Sequence, residues 1–298
     1  MTNNNQRKIK QRQIRQRQLR RKRKLILYRR IAVLLGVVLL LILMISLLVK
    51  RCGKSEEEDN KEVKEEVQEE VQEETTSESL TFEELMEKTA QENNFSTDEY
   101  PEKLIELVKK NPETQDFVVN YPMKKDTYSE ENLTELDGAD GVPLLFQWDE
   151  RWGYYQYGGN VMGLAGCGPT CLSMVASYLL DNPALTPIYM ADFATENGHS
   201  IDGGGTAWSL MNQGAKDLGL NPKEVPLDEN AIKGHLENGR PIICNVGEGI
   251  FTDNGHYLVF SGWVDGKIKI NDPNRREFSE RLWSYEEIKD QIKNMWVY

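Results

Sequence analysis

Residues Ile31 to Val49, IAVLLGVVLLLILMISLLV, are nineteen consecutive positions without a charge. A helix rising about 1.5 Å per residue spans a hydrocarbon core of roughly 30 Å over such a length. The run therefore predicts a transmembrane helix and divides the rest of the chain between two compartments. Of 36 Lys and Arg residues, 13 precede it, and Lys50, Arg51 and Lys54 follow closely. The positive-inside bias places residues 1–30 in the cytoplasm as a basic tail and everything after the span outside the cell. A cleaved signal peptide would carry a shorter apolar region, about 7–15 residues, and an A-x-A-like exit. The exit here reads SLLVKRCGKSE. An uncleaved, single-pass anchor is the expectation, with localisation at the cell membrane.

Charge divides along the same line. Residues 1–54 hold 16 basic side chains and no acid, while all 48 Asp and Glu lie beyond them. The outward part is strongly acidic, which argues against nucleic acid as its partner. The basic tail is read as a solvated flank attracted to anionic headgroups. Within residues 50–79, the stretch Glu56 to Ser79 has twelve acids and two bases. Val63, Val67 and Val71 form only a thin helical stripe, too little apolar area to hold a fold. This segment is expected to be a self-repelling spacer.

Residues 80–141 carry two amphipathic pieces and a polar connector. In YPEKLIELVKKNPETQ, Pro101 suits a first helical position, Leu104, Ile105, Leu107 and Val108 make one face, and Asn111–Pro112 ends the helix. These helices are expected to flank the main domain, residues 142–298. There GCGPTCLSMVASYLL reads as a loop entering a helix, and helical patterns return at Tyr189–Glu196, Ala207–Leu218 and Glu229–Asn238. Strand patterns follow in RPIICNVG, HYLVFSGWV, KIKINDP and NMWVY. Helices first and a sheet afterwards predict an α+β fold, with N-terminal helices packed on a C-terminal antiparallel sheet.

Four cysteines, Cys52, Cys167, Cys171 and Cys244, are too few and too irregular for a disulfide framework. Two of them stand in GLAGCGPTCLSMV. Cys167 lies between glycines with Pro169 at a first-turn position, so its sulfur heads a helix, where free N–H groups and the dipole favour a thiolate. Cys171, one turn on, leads an apolar run and reads as a small buried hydrophobe. Cys167 is the candidate nucleophile.

Only three histidines can serve it. His235 lies in a polar helical segment, and His199 lies in a glycine-rich loop that could line a cleft. His256 stands at the start of an apolar strand after Gly255 and is the candidate base. Asp272, ending the next strand, is the candidate orienter, with Asn271 as the other choice. With a two-residue loop at Asp265–Gly266, Asp272 would pair with Val259 and point away from the histidine. A three-residue turn, Val264–Gly266, is therefore expected. Gln147 is the upstream amide that could serve an oxyanion. DGGGTAW, Asp202 to Trp208, is either a turn capped by Thr206 or a loop on the substrate side. The sequence shows no metal-ligand cluster, phosphate loop or dinucleotide motif, and no cofactor is expected.

VPLLFQWDERWG, GCGPTC, GHYLVFSGW and NDP, in this order, resemble the cysteine-peptidase family 39-like proteins, relatives of the double-glycine peptidases that trim bacteriocin leaders. The resemblance covers residues 142–298 and implies a papain-like fold. It makes Cys167 the nucleophile, His256 the base, Asp272 the orienter and Gln147 the oxyanion donor. Bacteriocin peptidases work on the cytoplasmic side, joined to a transporter; this chain has no transporter segments and is expected to face outward. What the resemblance implies is thus a membrane-tethered extracellular thiol hydrolase, a cysteine peptidase acting on a peptide or protein through an acyl-enzyme. Cell-wall peptide or amide cleavage and a non-catalytic papain-like binding module are the alternatives.

Overall fold

The computed structural model describes residues 80–126, 136 and 141–298. The basic tail, the apolar run at 31–49, the acidic spacer, Cys52 and part of the connector lie outside the described residues. Among the described residues no helix is long and apolar enough to cross a membrane.

Among the described residues short helices lead, including α1 (Phe82–Asn93), α2 (Glu102–Lys110) and α3 (Gln115–Val119). Helix α1 starts on a capping box in which Thr81 and Glu84 satisfy each other's backbone N–H, and it ends at Asn94 in the left-handed conformation. Pro101 sits just before α2 rather than at its first position. Phe117 of α3 stacks on Tyr154 with ring centroids 4.6 Å apart. Gly153 and Gly163 let the ring approach, because a Cβ at either would come within 2.6 Å of it.

The main helix, α4 (Cys167–Leu179), is buried along most of its length and packs beside α5 (Pro187–Glu196). After α6 (Glu229–Glu237) come the longer strands of a six-stranded sheet. Its strands are β1 (Lys223–Glu224), β2 (Ile242–Val246), β3 (His256–Val264), β4 (Lys267–Asn271), β5 (Leu282–Trp283) and β6 (Ile292–Val297), in spatial order β1-β6-β2-β3-β4-β5. Every pairing is antiparallel. Alternation along the strands gives the sheet two apolar faces. Ile243, Tyr257, Val259 and Trp296 meet Leu172, Val175 and Ala176 of α4. Cys244, Leu258, Phe260 and Ile270 meet Ile232 and Leu236 of α6. The α+β architecture with helices on an antiparallel sheet is the one expected from the order of the segments.

The β3–β4 turn corrects the expectation. Val264 pairs with Lys267, so the loop has two residues, Asp265 and Gly266, with φ of 51° and 75°. That is the Asp-Gly geometry favoured by the right-handed twist of a hairpin. The residue needed to bring Asp272 to the histidine's face is supplied elsewhere, at Ser261. The register shifts by one between Phe260 and Gly262, and Val259 pairs with Asn271. Asp272 consequently stands opposite Leu258, two residues from His256 and with the same parity.

Candidate active site

Cys167 is the first residue of α4, and its N–H is among those the helix's own ladder leaves over. It is half-buried, whereas Cys171 and Cys244 are fully buried, and all three thiols are unpaired. Burial, reinforced at Cys171 by nearby Cys167 and Asp272, pushes both of the buried thiols well above the usual range. They are held as neutral packing groups. Gly168 admits a neighbour: a Cβ there would lie 2.4 Å from Thr206 Oγ1.

His256 opens β3 and Asp272 follows the end of β4, so antiparallel pairing sets both at one end of the sheet. His256 Nε2 lies 3.2 Å from Asp272 Oδ1. The same oxygen accepts the backbone N–H groups of Asn274 at 2.6 Å and Arg275 at 3.0 Å. Asp272 is 0% exposed and cannot turn away to water. With Nε2 engaged, Nδ1 is the ring nitrogen left for Cys167, which is close enough to influence the imidazole. Burial alone would lower the pKa of His256, but the Asp272 charge and hydrogen bond, together with Cys167, outweigh it and raise the pKa to about 10. An imidazolium beside a thiol at a helix start is the setting in which thiols react as thiolates.

Gln147 is buried, and its backbone N–H donates to Pro273 O at 2.7 Å. Its Nε2 donates to Gly163 O at 2.8 Å, one helical turn before Cys167. A primary amide has two donors, so one N–H of Nε2 remains for an oxyanion. Through its backbone N–H and its side chain together, the residue thus bridges the stretch after Asp272 and the stretch before Cys167. Asn271, the other candidate orienter, is occupied elsewhere: its Nδ2 donates to Val142 O and Pro143 O, and its Oδ1 accepts from Ser261 Oγ.

His199 does not join the constellation. It is buried with Nδ1 2.8 Å from Ser209 Oγ and its ring beside Phe193. His235 faces Arg240, and burial followed by the charges of Arg240 and Lys223 lowers its pKa.

The loop from Asp202 to Trp208 has a larger part than a capped turn. Tyr257 donates to Thr206 O at 3.2 Å, Thr206 Oγ1 lies 2.7 Å from the Tyr157 hydroxyl, and Thr206 covers Gly168. The half-exposed Trp208 donates to Asn245 Oδ1 at 3.2 Å, and Asn245 Nδ2 donates to His256 O at 3.2 Å. Sequence reasoning missed Tyr157, Tyr257 and Asn245. Tyr257 and Asn245 show only a polar tip inside an apolar run, common to many core residues, and Tyr157 stands in the polar stretch GYYQYGGN. Among the described residues no group of three or more His, Cys, Asp or Glu could hold a metal ion.

A thiol heading a helix, an imidazole against it and a carboxylate behind the imidazole make up the side-chain set of a cysteine peptidase on an α+β scaffold. The chain matches the family model described as Peptidase_C39 like family over residues 139–298, more than half its length, and it belongs to that family. Two solved structures are similar to it. One is the peptidase domain of Streptococcus ComA, described as a bi-functional ABC transporter involved in a quorum-sensing pathway. It is 22% identical, with 45% of this chain and 90% of that one covered and a TM-score of 0.35. The other is a C39-like peptidase from Bacillus anthracis, 15% identical, with 53% and 94% covered and a TM-score of 0.33. No curated protein matches the chain.

Proposed function

We propose that this protein is an active cysteine peptidase, tethered to the membrane by residues 31–49 with its catalytic domain, residues 142–298, outside the cell. The reading rests above all on the contact between His256 Nε2 and Asp272 Oδ1, which leaves Nδ1 for Cys167. Cys167 Sγ attacks a peptide carbonyl carbon, and the carbonyl electron pair moves to its oxygen. The Cys167 N–H and the second Nε2 proton of Gln147 stabilise that oxyanion. As the C–N bond breaks, His256 gives its proton to the leaving amine, and a thioester remains on Cys167. Water then attacks the thioester while His256 takes its proton, releasing the acid and restoring the thiolate. The acidic spacer holds the domain off the membrane, and the substrate is a peptide or protein on the outer side.

Labelling of the full chain with iodoacetamide near neutral pH, followed by peptide mapping, tests the assignment. Within the catalytic domain the label belongs on Cys167, and Cys167→Ala abolishes both labelling of that peptide and peptide hydrolysis. Cys171→Ala costs about 1–2 kcal/mol of packing and keeps hydrolysis. Hydrolysis that survives Cys167→Ala sinks the reading.

A further inference from the structure

The corner between α2 and α3, more than 140 residues before His256, reaches the two segments that carry the His256–Asp272 pair. Asn111 is 2% exposed, and its Nδ2 donates to Asn274 O at 2.6 Å and approaches Asn274 Oδ1 at 3.5 Å. Trp148 Nε1 donates to the same carbonyl at 2.7 Å. Arg275 Nη2 donates to Lys110 O at 2.7 Å, and the Arg276 N–H donates to Glu113 Oε1 at 3.0 Å. On the other side Lys110 Nζ pairs at 2.6 Å with Asp253, three residues before His256.

The Asn274 carbonyl belongs to the same planar unit as the Arg275 N–H. That N–H donates to Asp272 Oδ1, the oxygen that meets His256. Holding the oxygen end of a rigid peptide therefore aims its hydrogen end. Resting on the cysteine-peptidase reading above, we propose that the Lys110–Glu113 corner is a positioning element of the active site, with Asn111 as its anchor. Through the Asn274–Arg275 peptide it keeps Asp272 directed at the imidazole. None of its side chains meets the reacting atoms. The helical flank is on this account part of the catalytic apparatus and not only a cover on the domain.

The test is the pH profile of Cys167 alkylation by iodoacetamide in the full chain in detergent micelles. The groups that set it are His256, faced by Asp272 and Cys167, and the nearby Tyr157, Tyr257 and Cys171, which sense the Cys167 charge. In the unaltered protein, labelling is expected at about pH 6 as well as above pH 10. Asn111→Asp removes the donor at nearly constant shape, and Asn111→Leu removes it at similar volume. Both are expected to lower labelling near pH 6 by about tenfold while leaving labelling above pH 10 unchanged. Glu113→Ala, which removes the acceptor of the Arg276 N–H at a more exposed contact, shifts the profile the same way by less. Met86→Ala, in the flank core away from Asn274, lowers the melting temperature and leaves the profile in place. An unshifted profile in both Asn111 variants, or in Glu113→Ala should those fail to fold, overturns the inference alone. A free-thiol profile in the unaltered protein overturns the peptidase reading with it.

Discussion

The two ends of the β3–β4 hairpin follow different registers. At the turn end, Val264 faces Lys267 and Trp263 faces Ile268, the pairing that a two-residue Asp-Gly turn imposes. At the site end, Phe260 faces Ile270 and Val259 faces Asn271, one step out of phase. Ser261 absorbs the difference, with its hydroxyl donating to Asn271 Oδ1 at 2.8 Å. A turn thus dictates register only as far as the next bulge. The turn end answers to local backbone chemistry, while the site end answers to the packing of distant segments.

Inserting one residue between Val259 and Phe260 shifts the site-end register by one and is expected to have the largest effect. Asp272 would then oppose Val259 and leave the histidine's face, with a loss of hydrolysis of about 10² or more. Deleting Ser261 instead takes out the bulge and its extra residue together, leaves Leu258 opposite Asp272 and should keep much of the activity. Peptide hydrolysis by the pair of variants decides the matter, since equal losses in both would dissociate register from function.

Asp272→Asn leaves the register intact and removes the charge. Hydrolysis near neutral pH should fall by roughly 10²-fold or more. The same substitution alters stability against pH. His256 is raised from 6.5 to about 10, so its contribution is complete below pH 6.5 and is lost as pH rises to about 10. Between those values the folded state binds the extra proton, and stability declines with pH. Urea titrations at several pH values should show that decline in the unaltered protein and a flatter course in Asp272→Asn.

Asn271→Ala strikes the bulge from the partner strand. It strips the Val142 and Pro143 carbonyls and the Ser261 hydroxyl of a buried partner, at a cost of about 1–3 kcal/mol. A lower denaturation midpoint with hydrolysis within a few fold is the expected result. Gly266→Ala touches only the turn end. With φ at 75°, an added Cβ is strained by about 1 kcal/mol, and the site should not register it. A marked fall in hydrolysis from that substitution would show that the bulge does not insulate the two ends.

The segments that build the site were legible because their signals are short-range. Apolar periodicity separates α4 from the strands, and the glycines and proline around Cys167 mark a helix entry without any knowledge of its neighbours. The distinction between Cys167 and Cys171 follows from one helical turn of displacement. Hidden from any local pattern were the bulge at Ser261, the grip of Asn111 on Asn274, the seat of Thr206 on Gly168 and the bridge made by Gln147. Each joins residues from separate segments, and each is a side-chain hydrogen bond or a close approach with no periodicity. The three-residue turn expected between β3 and β4 shows the limit, since a required parity was assigned to the loop where one serine could supply it.

By itself the sequence determined the order of elements, the α+β class and the thiol best placed to react, because helix starts, alternation and burial preference depend on neighbours within a few residues. Tertiary structure alone decided that His256 and Asp272 share a face, that Asn271 looks elsewhere and that a corner of the flank aims the carboxylate. Those outcomes turn on a one-residue register shift and on planar peptides held from a distance, and a register acquires its energy only when both strands and their packing partners are present.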